Sequence, residues 1–328
     1  MGGTAYIDRK HAELRLDGQA IAVYANGERA GVVPLVPLGR LVLIGDLVVH
    51  TALIRRLAEH SVDVVFLSGK LQQCRGRLVG RVHRHARLRL RQYELSSGPF
   101  ALECARALVV RKLAGQLALL NDAAAERPSE RTTLLRAADT IASVAEKVPA
   151  AASLESLRGF EGGAAAAYFA ALTTLFADSL KFDGRTRRPP RDPVNALLSL
   201  TYTLIHHEWV RECELIGFDP LIGFYHQLDY GRESLACDLT EPSRPDVDRW
   251  IWEVFRQRRF TARDFSADGE RPGCYLKKAS RGRYYQSYEE WIASRRPPMR
   301  AEVEALARSM LDGEDTIPIG EADAADSL

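Results

Sequence analysis

The chain has 328 residues, of which 46% are hydrophobic and 27% charged, and its net charge is +2. That composition suits a globular protein too long for one comfortable core, so two domains are expected. No segment approaches the ~20 apolar residues of a membrane span. Five scattered cysteines (74, 104, 213, 237 and 274) without a C-x-x-C pair point neither to a disulfide framework nor to a zinc or iron–sulfur module.

The opening residues MGGTAYIDRK lack the basic and apolar regions of a signal peptide, so a cytoplasmic protein is expected. From 4 to 45 come short β-branched runs broken by Asp17-Gly18 and Asn26-Gly27, both good hairpin signals, and antiparallel sheet is predicted. A short helix fits His50 to Glu59, with Leu53, Ile54 and Leu57 on one side, and a buried strand fits Val62 to Leu67. This predicts a β-rich domain over 1–80.

Lys70 to Arg91 is the densest charge run, with Arg75, Arg77, Arg81, Arg84, Arg87 and Arg91 among its cations and no acid. A run of one sign reads as a solvated face or as a phosphate-binding surface that releases DNA counterions. It leads through a basic linker and helix, 81–99, into a predicted all-α domain over 100–311. Leu102, Ala105, Leu108, Val109, Leu113, Leu117 and Leu120 recur at helical spacing. Further helices fit Arg131 to Lys147 and Leu157 to Lys181. Asp192 as cap, with Pro193 at the first helical position, predicts a helix to about Ile216. Helices are also predicted from Leu235, over Asp246 to Arg259, and over Arg300 to Leu311. Residues 312–328 hold six acids and no Lys or Arg, the signature of a disordered tail. Upstream of them 45 basic residues face 37 acids, a net +8.

Chemistry concentrates in GFDPLIGFYHQLDYGRESLACDLTEPSRP, Gly217 to Pro245. His226 precedes a turn built on Asp229 to Arg232, and Asp238 and Glu241 follow it. Ser234 suits an N-cap, and residues three apart share a helix face, so both acids can face one site with the imidazole. Carboxylates with one imidazole suit a hard divalent ion, Mg²⁺ or Mn²⁺; the competing reading is a solvated helix face. Glu161 lies near the predicted start of an Ala/Gly-rich helix, where it suits either the helix dipole or a site among small residues that let other backbones approach. His206, His207 and Glu208 lie together without an H-E-x-x-H pattern, and core or packing roles are preferred for them. Arg187, Arg188, Arg259, Lys277 and Lys278 extend the basic residues that suit DNA as a collective patch.

Three runs occur in order: FEGGAAAAYF (160–169), RRPPRDPVNALLSLTYTLI (187–205) and the 217–245 stretch. Together they resemble the CRISPR-associated integrase family, the larger subunit of the spacer-acquisition complex. The resemblance implies an α+β fold in two domains: a small β-rich N-terminal domain with one helix, and a larger all-α C-terminal domain carrying the metal site. Carried over position by position, it implies Glu161, His226 and Glu241 as ligands of Mg²⁺ or Mn²⁺. Asp238 is then an adjacent acid, either orienting a ligand or binding another ion. It implies double-stranded DNA as partner, both the incoming fragment and the CRISPR repeat with its leader. The implied reaction is attack of a 3′-OH on a phosphodiester, with nicking when water attacks instead. It also implies a homodimer through the β domain and a small ferredoxin-like partner in a heterohexamer. Ser243 stands where the resemblance expects an aromatic, with a cost expected in packing. Two other readings stay open, a DNA-binding scaffold whose metal is structural and a transposon-borne integrase of the same fold.

Overall fold

The structure is a computed structural model that describes residues 3–69, 74–78, 85–186, 189–226, 229–267 and 273–311. It divides into two compact units: Met1–Val82 with Lys278–Trp291, and His83–Lys277 with Ile292–Leu328. Among the described residues no helix is long and apolar enough to cross a membrane.

In the first unit the strands are β1 (Gly3–Ile7), β2 (Glu13–Asp17), β3 (Ala20–Ala25), β4 (Glu28–Pro34), β5 (Leu38–Ile44) and β6 (Val48–Val49). After α1 (Thr51–Glu59) come β7 (Asp63–Leu67) and β8 (Cys74–Leu78). One sheet runs β4-β3-β2-β6, and its two hairpins turn where the sequence places Asp-Gly and Asn-Gly. Asn26 and Gly27 both take positive φ, 53° and 84°, the backbone a two-residue hairpin with native twist requires. The other sheet, β1-β5-β7-β8, corrects the antiparallel expectation: β1, β5 and β7 pair in parallel, and only β8 runs antiparallel. Parallel pairing needs a crossover, and the strand–helix–strand order from β5 through α1 to β7 supplies one. Leu14, Ile21, Val23, Leu41, Leu43, Leu53, Leu57 and Val64 lie in the core of this unit.

The helix α8 (Lys278–Ala293) falls in this unit over Lys278–Trp291, so the helical domain is not continuous along the chain from 100 to 311. Its chemistry shows why. Tyr285 stacks on Tyr6 with ring centroids 4.2 Å apart, Tyr6 Oη donates to Glu289 at 2.7 Å, and Arg281 pairs with Asp8 at 3.0 Å.

The second unit is built from α2 (Ala86–Leu95), α3 (Pro99–Glu126), α4 (Arg131–Ala145), α5 (Leu154–Thr173), α6 (Pro193–Ile216), α7 (Ser234–Arg256) and α9 (Arg296–Met310). A small hairpin of β9 (Phe265–Ala267) and β10 (Cys274–Leu276) joins them. α3 packs on α4, α5 and α7, while α6 packs on α7 and α9. α6 begins as its sequence predicts, with the Asp192 side chain accepting from Asn195 N–H at 2.8 Å and Pro193 next. It is buried on nearly all sides, as an apolar helix without a polar face must be. α7 departs from expectation. Pro242 and Pro245 separate two predicted helices, yet the helix continues through both. Pro245 meets the surface of α3 where Gly115 leaves room, since a Cβ there would lie 3.0 Å from its ring. Helix packing outweighs the backbone hydrogen bonds that the two prolines cannot donate.

Candidate functional site

Lys112 lies on the buried face of α3, in phase with Ala105, Leu108 and Val109. Its Nζ donates to one oxygen of Glu161, on α5, and to Oε2 of Glu241, on α7, at 2.5 Å from the latter. The other Glu161 oxygen accepts the Tyr225 hydroxyl. The other Glu241 oxygen lies 2.9 Å from Arg244 Nε, one turn on along α7. Arg244 in turn stacks its guanidinium 4.4 Å above the Tyr202 ring. Each carboxylate is therefore fixed through one oxygen and offers the other to a common cationic point. Burial would push the Glu241 carboxyl up, but Arg244, Lys112 and His226 outweigh it and hold the group down at about 2.

The loop between α6 and α7 carries His226, and Asp238 holds it. Asp238 Oδ2 accepts the backbone N–H groups of Phe224 at 2.6 Å and Tyr225 at 3.0 Å. Its Oδ1 accepts the His226 N–H and lies 2.8 Å from His226 Nδ1. A fully buried carboxylate thus satisfies three backbone donors and orients the imidazole. Gly223 makes this approach possible, because a Cβ there would sit 2.7 Å from Asp238 Oδ2. The remaining ring nitrogen, His226 Nε2, has no hydrogen-bond partner among the described residues. Asp238 and Glu241 share a helix face but not a target, since one serves the loop and the other faces Lys112.

The geometry corrects the sequence reading of Glu161 in two respects. It sits two turns inside α5, which starts at Leu154 with a Ser153–Ser156 capping box, so the helix dipole does not explain it. Among the described residues nothing lies within 4 Å of a Cβ built at Gly162 or Gly163, so no other described backbone approaches them. The close approaches are at Gly115 and Gly223 instead. Ser243 accepts the buried Trp209 Nε1–H at 3.2 Å.

Three arginines of the basic run, Arg77, Arg89 and Arg91, are engaged within the fold. Arg77 Nη2 lies 3.0 Å from Asp63 and Arg40 Nε 2.9 Å from its other oxygen, a buried cluster in the first unit. On α2, Gln92 Nε2 donates to the carbonyls of Asp219 and Ile222 at 2.8 and 2.7 Å, and Arg89 Nε donates to the Gly217 carbonyl at 3.1 Å. This helix therefore clamps the loop that presents His226. Arg91 pairs with Glu94 at 2.7 Å and reaches the Met310 carbonyl. Arg75, Arg87, Lys277 and Lys278 are exposed, and Arg259 is half-buried. Arg81, Arg84, Arg187, Arg188 and the 312–328 tail lie outside the described residues. His206 binds Glu233 at 2.7 Å, and Glu208 forms a buried pair with Arg296 at 2.9 Å, so two members of the HHE cluster are engaged in ion pairs within the fold.

Among the described residues no three His, Cys, Asp or Glu side chains are grouped to hold a metal ion. The cation between Glu161 and Glu241 is the Lys112 ammonium. In charge and donor type the two carboxylates still suit an oxygen-preferring divalent ion, and Asp238 fixes the His226 imidazole on the loop before α7. Sequence reasoning missed Lys112, Tyr225, Arg244 and Gln92. The one signal for Lys112 was a lysine standing in register with the apolar stripe of its helix.

The profile of the family described as CRISPR associated protein Cas1 matches residues 5–290. The chain is 43% identical over 315 residues to "CRISPR-associated endonuclease Cas1 1" of Thermodesulfovibrio yellowstonii, covering 96% of this chain and 99% of the relative. Its fold is similar to the solved structure of a Cas1 protein from Thermotoga maritima, with a TM-score of 0.82 at 20% identity over the full length of both. It is similar also to a chain of a "Cas6-RT-Cas1--Cas2 complex", with a TM-score of 0.80 at 24% identity over 94% of this chain and 35% of that one. The profile match and the full-length relative place this chain in the Cas1 family.

Proposed function

We propose that this chain is a metal-dependent DNA endonuclease and integrase that inserts short DNA fragments into a CRISPR repeat array. One observation carries the reading: Glu161 and Glu241, from helices far apart in sequence, aim one oxygen each at a single cationic point. Supporting it, the full-length relative is named as an endonuclease. Glu161, Glu241 and His226 Nε2 are the groups that would hold Mg²⁺ or Mn²⁺. Such an ion, when bound, polarises a phosphodiester and lowers the pKa of an attacking hydroxyl. The chain's own residues do the positioning. Tyr225 and Arg244 fix the carboxylates, and Asp238 holds the imidazole through Nδ1, which leaves Nε2 without a partner among the described residues. α2 and the loop it clamps keep that imidazole in place during turnover. A homodimer and a small ferredoxin-like partner belong to the same reading, and the Cas1 similarity to a chain of a Cas2-containing complex supports the second.

The test is strand transfer and nicking on a repeat-containing plasmid with Mn²⁺ or Mg²⁺. Glu161→Ala, His226→Ala and Glu241→Ala should each lower the rate by roughly a hundredfold or more while the protein stays folded. Asp238→Asn should be milder, because it orients a group rather than replacing one. Wild-type integration by His226→Ala in Mg²⁺ would refute the site.

A further inference from the structure

Lysine is an unusual occupant for the place where two carboxylates of a divalent-ion site converge. The Lys112 side chain is 9% exposed and that of Glu241 8%, so this is a buried ion cluster rather than a surface pair. Its helix neighbours Leu108, Val109 and Leu113 are buried as well. Burying these charges is tolerable only because they are mutually paired. Without the ammonium, Glu161 and Glu241 would face each other as like charges in a low-dielectric site. Their second oxygens are held by Tyr225 and Arg244, so neither carboxylate needs to turn away when the central cation changes. A place for a displaced ammonium also exists. Gln116 Oε1, one turn further along the same buried face, has no hydrogen-bond partner among the described residues, and residues four apart on a helix are neighbours.

We propose that Lys112 is a built-in counter-cation of the metal pocket. It holds Glu161 and Glu241 together in the metal-free protein, and a divalent ion binds by displacing its Nζ from at least one of them. This rests on the metal-dependent reading above and adds to it a regulation of that site. Lys112 lowers metal affinity, keeps the empty pocket folded and ties occupancy to the free divalent-ion concentration. A flexible stem with a compact charge suits this exchange, whereas a planar guanidinium would grip both carboxylates and resist it.

The experiment uses the full chain, stripped with EDTA, at pH 8, with Mn²⁺ as probe. In the wild-type protein, acylation of Lys112 by an amine-reactive ester, followed by mass spectrometry, should accelerate several-fold when Mn²⁺ saturates the site. Unchanged labelling at saturation would overturn the proposal. Lys112→Met should bind Mn²⁺ roughly tenfold more tightly by calorimetry and melt at a lower temperature in EDTA. Equal affinity for the two proteins would overturn it. Should Lys112→Met not fold, Lys112→Arg serves in its place, with Mn²⁺ affinity expected to fall several-fold; wild-type affinity in that variant would be equally fatal. The two readings separate cleanly. Mn²⁺ binding that neither lysine variant alters defeats the counter-cation alone. Absence of Mn²⁺ binding from wild type and Lys112→Met alike, with Glu241→Gln no different, defeats the metal reading beneath it.

Discussion

At the scale of single residues, the site depends on charges that are never left alone. Asp248 shows how far this goes. It is buried on α7 and accepts the hydroxyls of Tyr168, at 2.9 Å, and of Tyr202, whose ring carries Arg244. Burial is the dominant influence and raises its carboxyl to about 6, against the pull of the two tyrosines, Arg244 and Arg185. An Asp with a raised folded-state pKa holds its proton more tightly when folded. Its contribution to stability is therefore full below the unfolded value of 3.8 and is lost as pH rises toward about 6. The loss amounts to on the order of 3 kcal/mol. Asp248→Asn keeps an acceptor without the titration. Its melting temperature should vary less than that of wild type between pH 4 and 6, and two parallel melting curves would show that another group titrates there.

At the scale of elements, α6 and α7 carry the site by opposite means. α6 is defined locally. Its N-terminus rests on Asp192, which accepts the Asn195 backbone N–H and also Asn195 Nδ2, and its C-terminus on Gly217 at φ 111°. Asp192→Ala should cost about 1–2 kcal/mol of unfolding free energy in denaturant titrations, with little change in m-value. A loss under 0.3 kcal/mol or so would mean that tertiary packing alone holds this end. α7 is defined non-locally, since Pro242 and Pro245 argue against a helix that exists because it is packed on α3 and α6. That difference decided which of the two the sequence revealed. A cap and a stop are written in neighbouring residues; a helix that overrides its own prolines is written in its partners.

At the scale of the whole molecule, the net charge of +2 hides the basic excess upstream of the acidic end. Several cations in the basic run are already committed within the fold, as Arg77, Arg89 and Arg91 show. We propose the exposed Arg75 and Lys278 as the better candidates for phosphate contact. Their combined replacement by Ala should make the plot of log affinity for double-stranded DNA against log salt shallower by about 0.9 for each phosphate that is no longer neutralised. An unchanged slope with unchanged affinity would assign these residues to a solvated face. Arg77→Ala should instead lower stability, because Asp63 would stay buried against Arg40 alone.

The sequence by itself determined what depends on neighbours along the chain. The two hairpin turns, the start and stop of α6, the helical period of α3 and the order β-rich then helical are all local patterns, and all are present in the structure. Glu161, His226, Asp238 and Glu241 stood out as candidate site residues through motif order. Only the tertiary structure decided what each one touches. Asp238 faces three backbone amides and an imidazole, while Glu241, three residues later, faces a lysine from α3 that no spacing rule connects to it. The parallel pairing of β1, β5 and β7 and the union of α8 with the strands were hidden for the same reason. Turn and cap energies are fixed by a few adjacent dihedrals, whereas buried charge pairs and sheet order depend on which distant surfaces meet when the core closes.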